Sequence, residues 1–412
     1  MSVPTIIQLR AWTDQARCAL QKTPSRVALL GLYVAFIIFL KSLYLWAPQY
    51  DLEWRLNNLQ VLVVDYDGGL LGLQLNTTYQ TLSGPTFPHF TFSTQHDFET
   101  EDEIFHAVKR QSYWGAIYTR PNASSRIAAT TNEPFNVEQG LGEANLVYVW
   151  NEANYPTVGS WIRNSLKQAS EDIRLNFVLS RTFAALPVGD DISTQTVQAT
   201  LGAVSNVLQP LEMTACAGKA LGQAAFNHLA MIALSTGSEA FLQIFARTIV
   251  RSSKIRGHVK FRLYCVAGTF FSCFLGLAMT ASPWVVRGRA GSNLGGREFF
   301  LSWMALWAGS ITIYAVSCAL RTWAQGPLST KPLTMIWMAM NAASAFVPIE
   351  ISPTIFRCNW ILPGHAVYRL LVTVWCRAGT WETAIVVPVL AFWFGLGTFC
   401  TWWGMTKGEK EV

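Results

Sequence analysis

Charged side chains are scarce in this chain. Asp, Glu, Lys and Arg make up 14% of its 412 residues, against about 25% in a soluble domain. That scarcity argues against a free globular protein. Metal and nucleotide signatures are missing too. The eight cysteines form no C-x-x-C pair, and the six histidines (His89, His96, His106, His228, His258 and His365) never fall at ligand spacing. Neither a zinc site nor a thioredoxin-like motif is therefore expected. There is no G-x-x-x-x-G-K-[ST], no H-E-x-x-H and no G-x-S-x-G, which excludes a P-loop ATPase, a zincin and a nucleophile-elbow hydrolase. The glycines after Asp67 (Gly68, Gly69, Gly72) do not make a dinucleotide fingerprint, because no helical signature and no acidic ribose partner follow. They are read as a turn after a strand. No enzyme activity, cofactor or metal is expected.

Apolar side chains are abundant instead. The chain is 51% hydrophobic with 17 Trp and 24 Phe, and its mean hydropathy is +0.25. The governing stretch is Arg26 to Pro48, uncharged from Val27 to Leu40 and interrupted only by Lys41. About 20 apolar residues at ~1.5 Å each cross a hydrocarbon core of ~30 Å. No A-x-A cleavage site follows it, so an uncleaved first membrane helix is expected rather than a signal peptide.

Five further spans are expected at Leu229–Val250, Leu263–Pro283, Phe299–Leu320, Pro332–Pro348 and Ala384–Met405. Between the second and third lie Arg247, Arg251, Lys254, Arg256, Lys260 and Arg262 with no acid among them. By the positive-inside rule that loop is cytoplasmic, as are both ends of the chain. Arg321 and Lys331 then fall inside. Arg287, Arg289 and Arg297 fall outside, against the rule, and are outweighed. The net charge of +6 comes from such loop residues, so no nucleic-acid partner is expected. Trp360–Trp375 is apolar but short and carries Arg369. It reads as an interfacial or re-entrant helix within 353–377.

Residues 48–218 form the only large soluble region. Strands are predicted at Leu59–Asp65, Tyr113–Thr119 and Asn145–Trp150, and helices at Glu101–Arg110 and from Thr157 to Leu186. Strands alternating with helices predict an α/β domain inserted after the first helix. Two N-x-[ST] sequons, at Asn76 and Asn122, suit a glycosylated domain on the side away from the cytosol. The expected plan is a polytopic α-helical membrane protein. It has a cytoplasmic segment (1–26), a first span (27–47), the extracytoplasmic α/β domain (48–218), a bundle of about five helices (219–405) and a cytoplasmic tail (406–412).

One acid falls inside an apolar span, Glu239. A carboxylate at that depth costs roughly 2.5–3.5 kcal/mol on insertion scales, so it needs a partner or a wet cavity. It is the one transport candidate, to carry a proton or a cationic group. The other reading is structural, a partner for a Ser or Lys of another helix. Cys265, Cys273, Cys318 and Cys400 read as small hydrophobes. Cys358 and Cys376 share one outside loop, where a disulfide is feasible. Cys216 is the α/β region's only cysteine.

The order of pieces carries a resemblance. Asn58-Leu59-x-Val61-x-Val63-Val64-Asp65-x-Asp67-Gly68 follows the first helix. Tyr113-Trp114-Gly115-Ala116-Ile117 precedes Asn122-Ala123-Ser124. Ile351-Ser352-Pro353, Phe356-Arg357 and Leu362-Pro363 come late. In these the chain resembles the fungal nitrosoguanidine-resistance membrane proteins over about 27–405. It is more remotely similar to the bacterial phage-infection-protein group and the membrane half of type-2 ABC exporters. The resemblance implies export of, or resistance to, small organic compounds or secondary metabolites, in a plasma membrane or endomembrane reached through the endoplasmic reticulum. It names no catalytic residue. The partners it implies are membrane lipid, a small amphipathic molecule, and either a separate ATPase or further copies of the chain. The alternative reading is a non-transporting scaffold or regulator that binds a partner through its outside domain.

Overall fold

The computed structural model describes residues 24–132, 144–185, 209–216, 223–250, 255–286, 295–323, 327–379 and 383–407. The N-terminal segment, part of the basic loop and the tail lie outside these residues. Helix α1 (Pro24–Trp46) contains the first predicted span and leads into a mixed sheet.

Strand β1 (Gln60–Asp65) carries Val61, Leu62, Val63 and Val64, all buried. Alternate side chains of a strand point to opposite faces, so an unbroken apolar run means that both faces are covered. Val61 and Val63 pack with α2 (Leu70–Leu82) and α5 (Pro156–Ala185). Leu62 and Val64 pack with Ile104 and Val108 of α3 (Glu101–Lys109). Helix α3 begins where Thr100 accepts from the Glu103 amide and Glu103 accepts from the Glu99 amide, a near capping box that satisfies two open N–H groups.

The sheet order is β2-β1-β3-β4-β5 among the described residues. Strands β2 (His89–Ser93) and β3 (Gly115–Thr119) run parallel to β1 on either side. Strand β4 (Leu146–Asn151) runs antiparallel to β3, and β5 (Leu211–Cys216) parallel to β4. Helix α4 (Ala123–Asn132) follows β3. The glycine-rich turn after Asp67 does lead to a helix, α2, contrary to the sequence reading. Its start is fixed from outside its own sequence, by the Ser124 hydroxyl accepting from the Leu71 amide.

The rest is helical: α6 (Gln223–Val250), α7 (Gly257–Val286), α8 (Gly296–Trp323), α9 (Pro327–Ser344), α10 (Pro363–Cys376) and α11 (Thr383–Lys407). Among the described residues, three helices are long and apolar enough to cross a membrane: Gly257–Ser282, Gly296–Trp323 and Thr383–Lys407. This matches what a membrane-embedded protein needs. Helix α8 is the bundle's centre, packed by α6, α7, α10 and α11. Small residues let these backbones approach. A Cβ at Gly276 would sit 3.0 Å from the Trp307 nitrogen, and one at Gly397 2.7 Å from the Ala315 carbonyl carbon.

Helix α10 corresponds to the short apolar stretch expected to be interfacial or re-entrant. Pro363 opens it and Arg377, at φ 50°, ends it in a left-handed cap. All but three of its residues are buried, between the sheet on one side and α8, α9 and α11 on the other. It is a packed hinge-pin between sheet and bundle, and we do not count it as a span. The Tyr155 amide donates to the Tyr368 hydroxyl at 2.6 Å, and their rings lie 4.3 Å apart. Arg369 donates to Gln111, and Asn58 to the Glu350 carbonyl at 3.1 Å.

Candidate functional site

Glu239 sits on α6, and its partner is a residue from another helix. Arg321, in the last turn of α8, places Nη2 2.8 Å from Glu239 Oε1. Gln243, one turn along α6, donates to the same oxygen at 3.0 Å. The second guanidinium nitrogen, Nη1, reaches the Leu242 carbonyl at 3.4 Å. Sequence reasoning had set Arg321 in an inside loop and looked for a Ser or Lys partner. A guanidinium suits the place better, because it stays charged and reaches two acceptors at once.

The pair is not saturated. Glu239 Oε2 and Arg321 Nε are buried with no hydrogen-bond partner among the described residues. The hydroxyls of Ser235 and Ser238 on α6, Ser272 on α7 and Ser310 on α8 are also buried and unpartnered. Unsatisfied buried polar groups each cost about 1–3 kcal/mol. Their concentration on three adjoining helices marks a polar interior within an apolar bundle. Beside it a cleft opens between α7, α8 and α11, lined by Phe261, Tyr264, Cys265, Tyr314, Cys318 and Thr401. Cys318 lies one turn before Arg321. The site thus presents an unpaired carboxylate oxygen and a guanidinium edge beside buried hydroxyls.

A second ion pair, between a buried acid and an exposed guanidinium, was not foreseen. Glu298 at the start of α8 meets Arg377 Nε at 2.8 Å and accepts from the Gly295 amide. The signal available was an acid at a helix N-terminus, where carboxylates are stabilised.

The other sequence-derived positions fall elsewhere. Asn76 on α2 and Asn122 before α4 are both exposed, on the sheet and far in sequence from the bundle. Asp65 and Asp67 stand at the carboxyl ends of the parallel strands β1 and β3, where open α/β sheets commonly bind ligands. Here their oxygens are used internally. Asp65 Oδ1 accepts from the Asp67 amide at 3.0 Å and from the Thr119 hydroxyl at 2.5 Å. Asp67 accepts from the Ser124 amide at 2.8 Å and from its hydroxyl. They lock the turn. His365 on α10 is 3% exposed, with Nδ1 3.4 Å from the Tyr155 hydroxyl. Burial, then the nearby Arg369, lowers its pKa to about 3, opposed by a hydrogen bond with the Ser344 backbone. It is a neutral structural imidazole. No group of three or more His, Cys, Asp or Glu side chains suits a metal ion among the described residues.

A family model described as "Protein of unknown function (DUF3533)" matches residues 29–399, and the chain belongs to that family. No curated protein and no solved structure matches the chain.

Proposed function

We propose that this member of the DUF3533 family is an integral membrane protein that exports small organic compounds or confers resistance to them. Its six long helices, α1, α6, α7, α8, α9 and α11, cross the bilayer, and the sheet stands on the extracytoplasmic face. The observation that carries this reading is the Glu239–Arg321 pair, with its unpaired carboxylate oxygen and buried serines. Ionisable groups inside a bundle are expensive, face its interior and mark transport paths. Protonation of Glu239 would release Arg321 and loosen α6 from α8, which supplies a coupling step. Exposed Arg247, Arg256 and Arg262 near the α6–α7 connection support a cytoplasmic position for that end. The sequence resemblance to the nitrosoguanidine-resistance group supplies the substrate class.

The test is growth of cells expressing Glu239→Gln under nitrosoguanidine challenge. Resistance is expected to be lost when variant and wild type are compared at matched protein level in the membrane. Normal resistance would remove Glu239 from the mechanism. If Glu239→Gln fails but a Glu239→Gln/Arg321→Gln double variant regains resistance, the pair is a clamp only, and the scaffold reading takes its place.

A further inference from the structure

Two buried thiols meet where the sheet rests on α10. Cys216 ends β5, and its register partner on β4 is Asn151. The Asn151 amide in turn lies 3.8 Å from the sulfur of Cys376, the last residue of α10. Cys216 and Cys376 thus flank one asparagine from two sides. Both belong to the continuous apolar core that runs from the sheet into the bundle. They are 6% and 2% exposed, and β5 and α10 are in contact here. From the sequence, a disulfide between Cys376 and Cys358 is feasible. Cys358 is instead exposed and donates to the Ile355 carbonyl at 3.2 Å.

We propose that Cys216 and Cys376 are joined by a disulfide in the mature protein, a covalent tie between the sheet and the membrane bundle. The proposal rests on the extracytoplasmic placement of the sheet, since such bonds persist only in oxidising compartments. The oxidant is a disulfide of the thiol-exchange class. One cysteine thiolate attacks it, forming a mixed disulfide and releasing the first thiol. The second cysteine, its proton lost to solvent, attacks that mixed disulfide, closes the Cys216–Cys376 bond and releases the second thiol. Two electrons pass from the cysteine pair to the oxidant.

Timing follows from burial. The neighbouring Cys216 thiol, together with burial, pushes the Cys376 thiol well above its ordinary value, so in the folded protein it is a poor nucleophile as well as an inaccessible one. The bond is therefore made as β5 and α10 come together, before the core closes. It encloses a loop of roughly 160 residues that contains α6 to α9, of the long kind whose closure restricts the unfolded chain most.

The test uses the full-length protein in its own membranes. Free thiols are capped with N-ethylmaleimide in denaturing detergent without reductant, and the protein is digested with trypsin. The expected product is one linked species joining the peptides 182–219 and 370–377, which separates on reduction. The same sample is treated with glycosidase to read the glycans at Asn76 and Asn122. Capped Cys216 and Cys376 on a glycosylated protein would overturn the disulfide and leave the sheet's placement standing. Capped cysteines on an unglycosylated protein would overturn both. A Cys358–Cys376 link would overturn the proposed pairing. The Cys216→Ser variant should yield a capped Cys376.

Discussion

Arg321 Nη2 and Glu239 Oε1 meet at 2.8 Å across two helices, 82 residues apart in the chain. The pair is partly buried, so removing one member strands the other at a cost below the roughly 3–5 kcal/mol of a fully buried pair. Replacing both with neutral residues is often nearly free. Glu239→Gln and Arg321→Gln should each lower the thermal midpoint in detergent, and the double variant should recover most of the loss. Additive losses in a double-mutant cycle would mean that the two groups are uncoupled.

The Tyr155–Tyr368 contact makes a separate prediction. The Tyr155 amide donates to the Tyr368 hydroxyl, and both side chains are buried. Tyr368→Phe keeps the tilted ring contact and deletes only that acceptor. The expected loss is about 1–3 kcal/mol, with faster proteolysis between sheet and bundle. Unchanged proteolysis and midpoint would show that the rings alone hold the two parts.

His365 predicts an acid limb of stability. Its folded pKa is lowered to about 3, while the unfolded value is about 6.5. The unfolded chain takes up the proton first. The contribution is therefore fully present above about pH 6.5 and is lost progressively as the pH falls toward 3. Its slope is at most about 1.4 kcal/mol per pH unit. Arg369, the Tyr155 hydroxyl and the Ser344 backbone face the ring, and Arg369 opposes protonation. A His365→Gln variant should show a flatter stability profile between pH 6.5 and 4. An equally steep profile would assign the limb to other groups.

Orientation is read most simply from glycans. Asn76 and Asn122 are exposed on the sheet's helical flank. Asn76→Gln and Asn122→Gln should each remove one glycosidase-sensitive step in gel mobility. No step from either asparagine would place the sheet on the cytosolic side.

Much of the fold was legible where burial is continuous. Strand β1 announced itself because both its faces are covered, so that Val61 to Val64 are all apolar. Strands β2 (HFTFS) and β5 (LEMTAC) were missed because they lie at the two sheet edges, where exposed or half-buried positions admit His, Thr and Glu. Helix α2 was missed because its start depends on Ser124, some fifty residues later. For the candidate site, Glu239 stood out as an acid in an apolar run. Its partner could not be read, since which residue of α8 faces α6 is decided by helix packing rather than by local pattern. The same holds for Cys376, whose neighbour Asn151 lies 225 residues earlier in the chain.

The central claim is that Glu239 couples the chain to movement of a small amphipathic compound. It is tested most directly by flux in liposomes that hold the purified protein and a labelled nitrosoguanidine, with an imposed proton gradient. The account predicts gradient-dependent flux by the wild type and none by Glu239→Gln inserted at equal density. Equal flux by both proteins, or none above empty liposomes by the wild type, would contradict it.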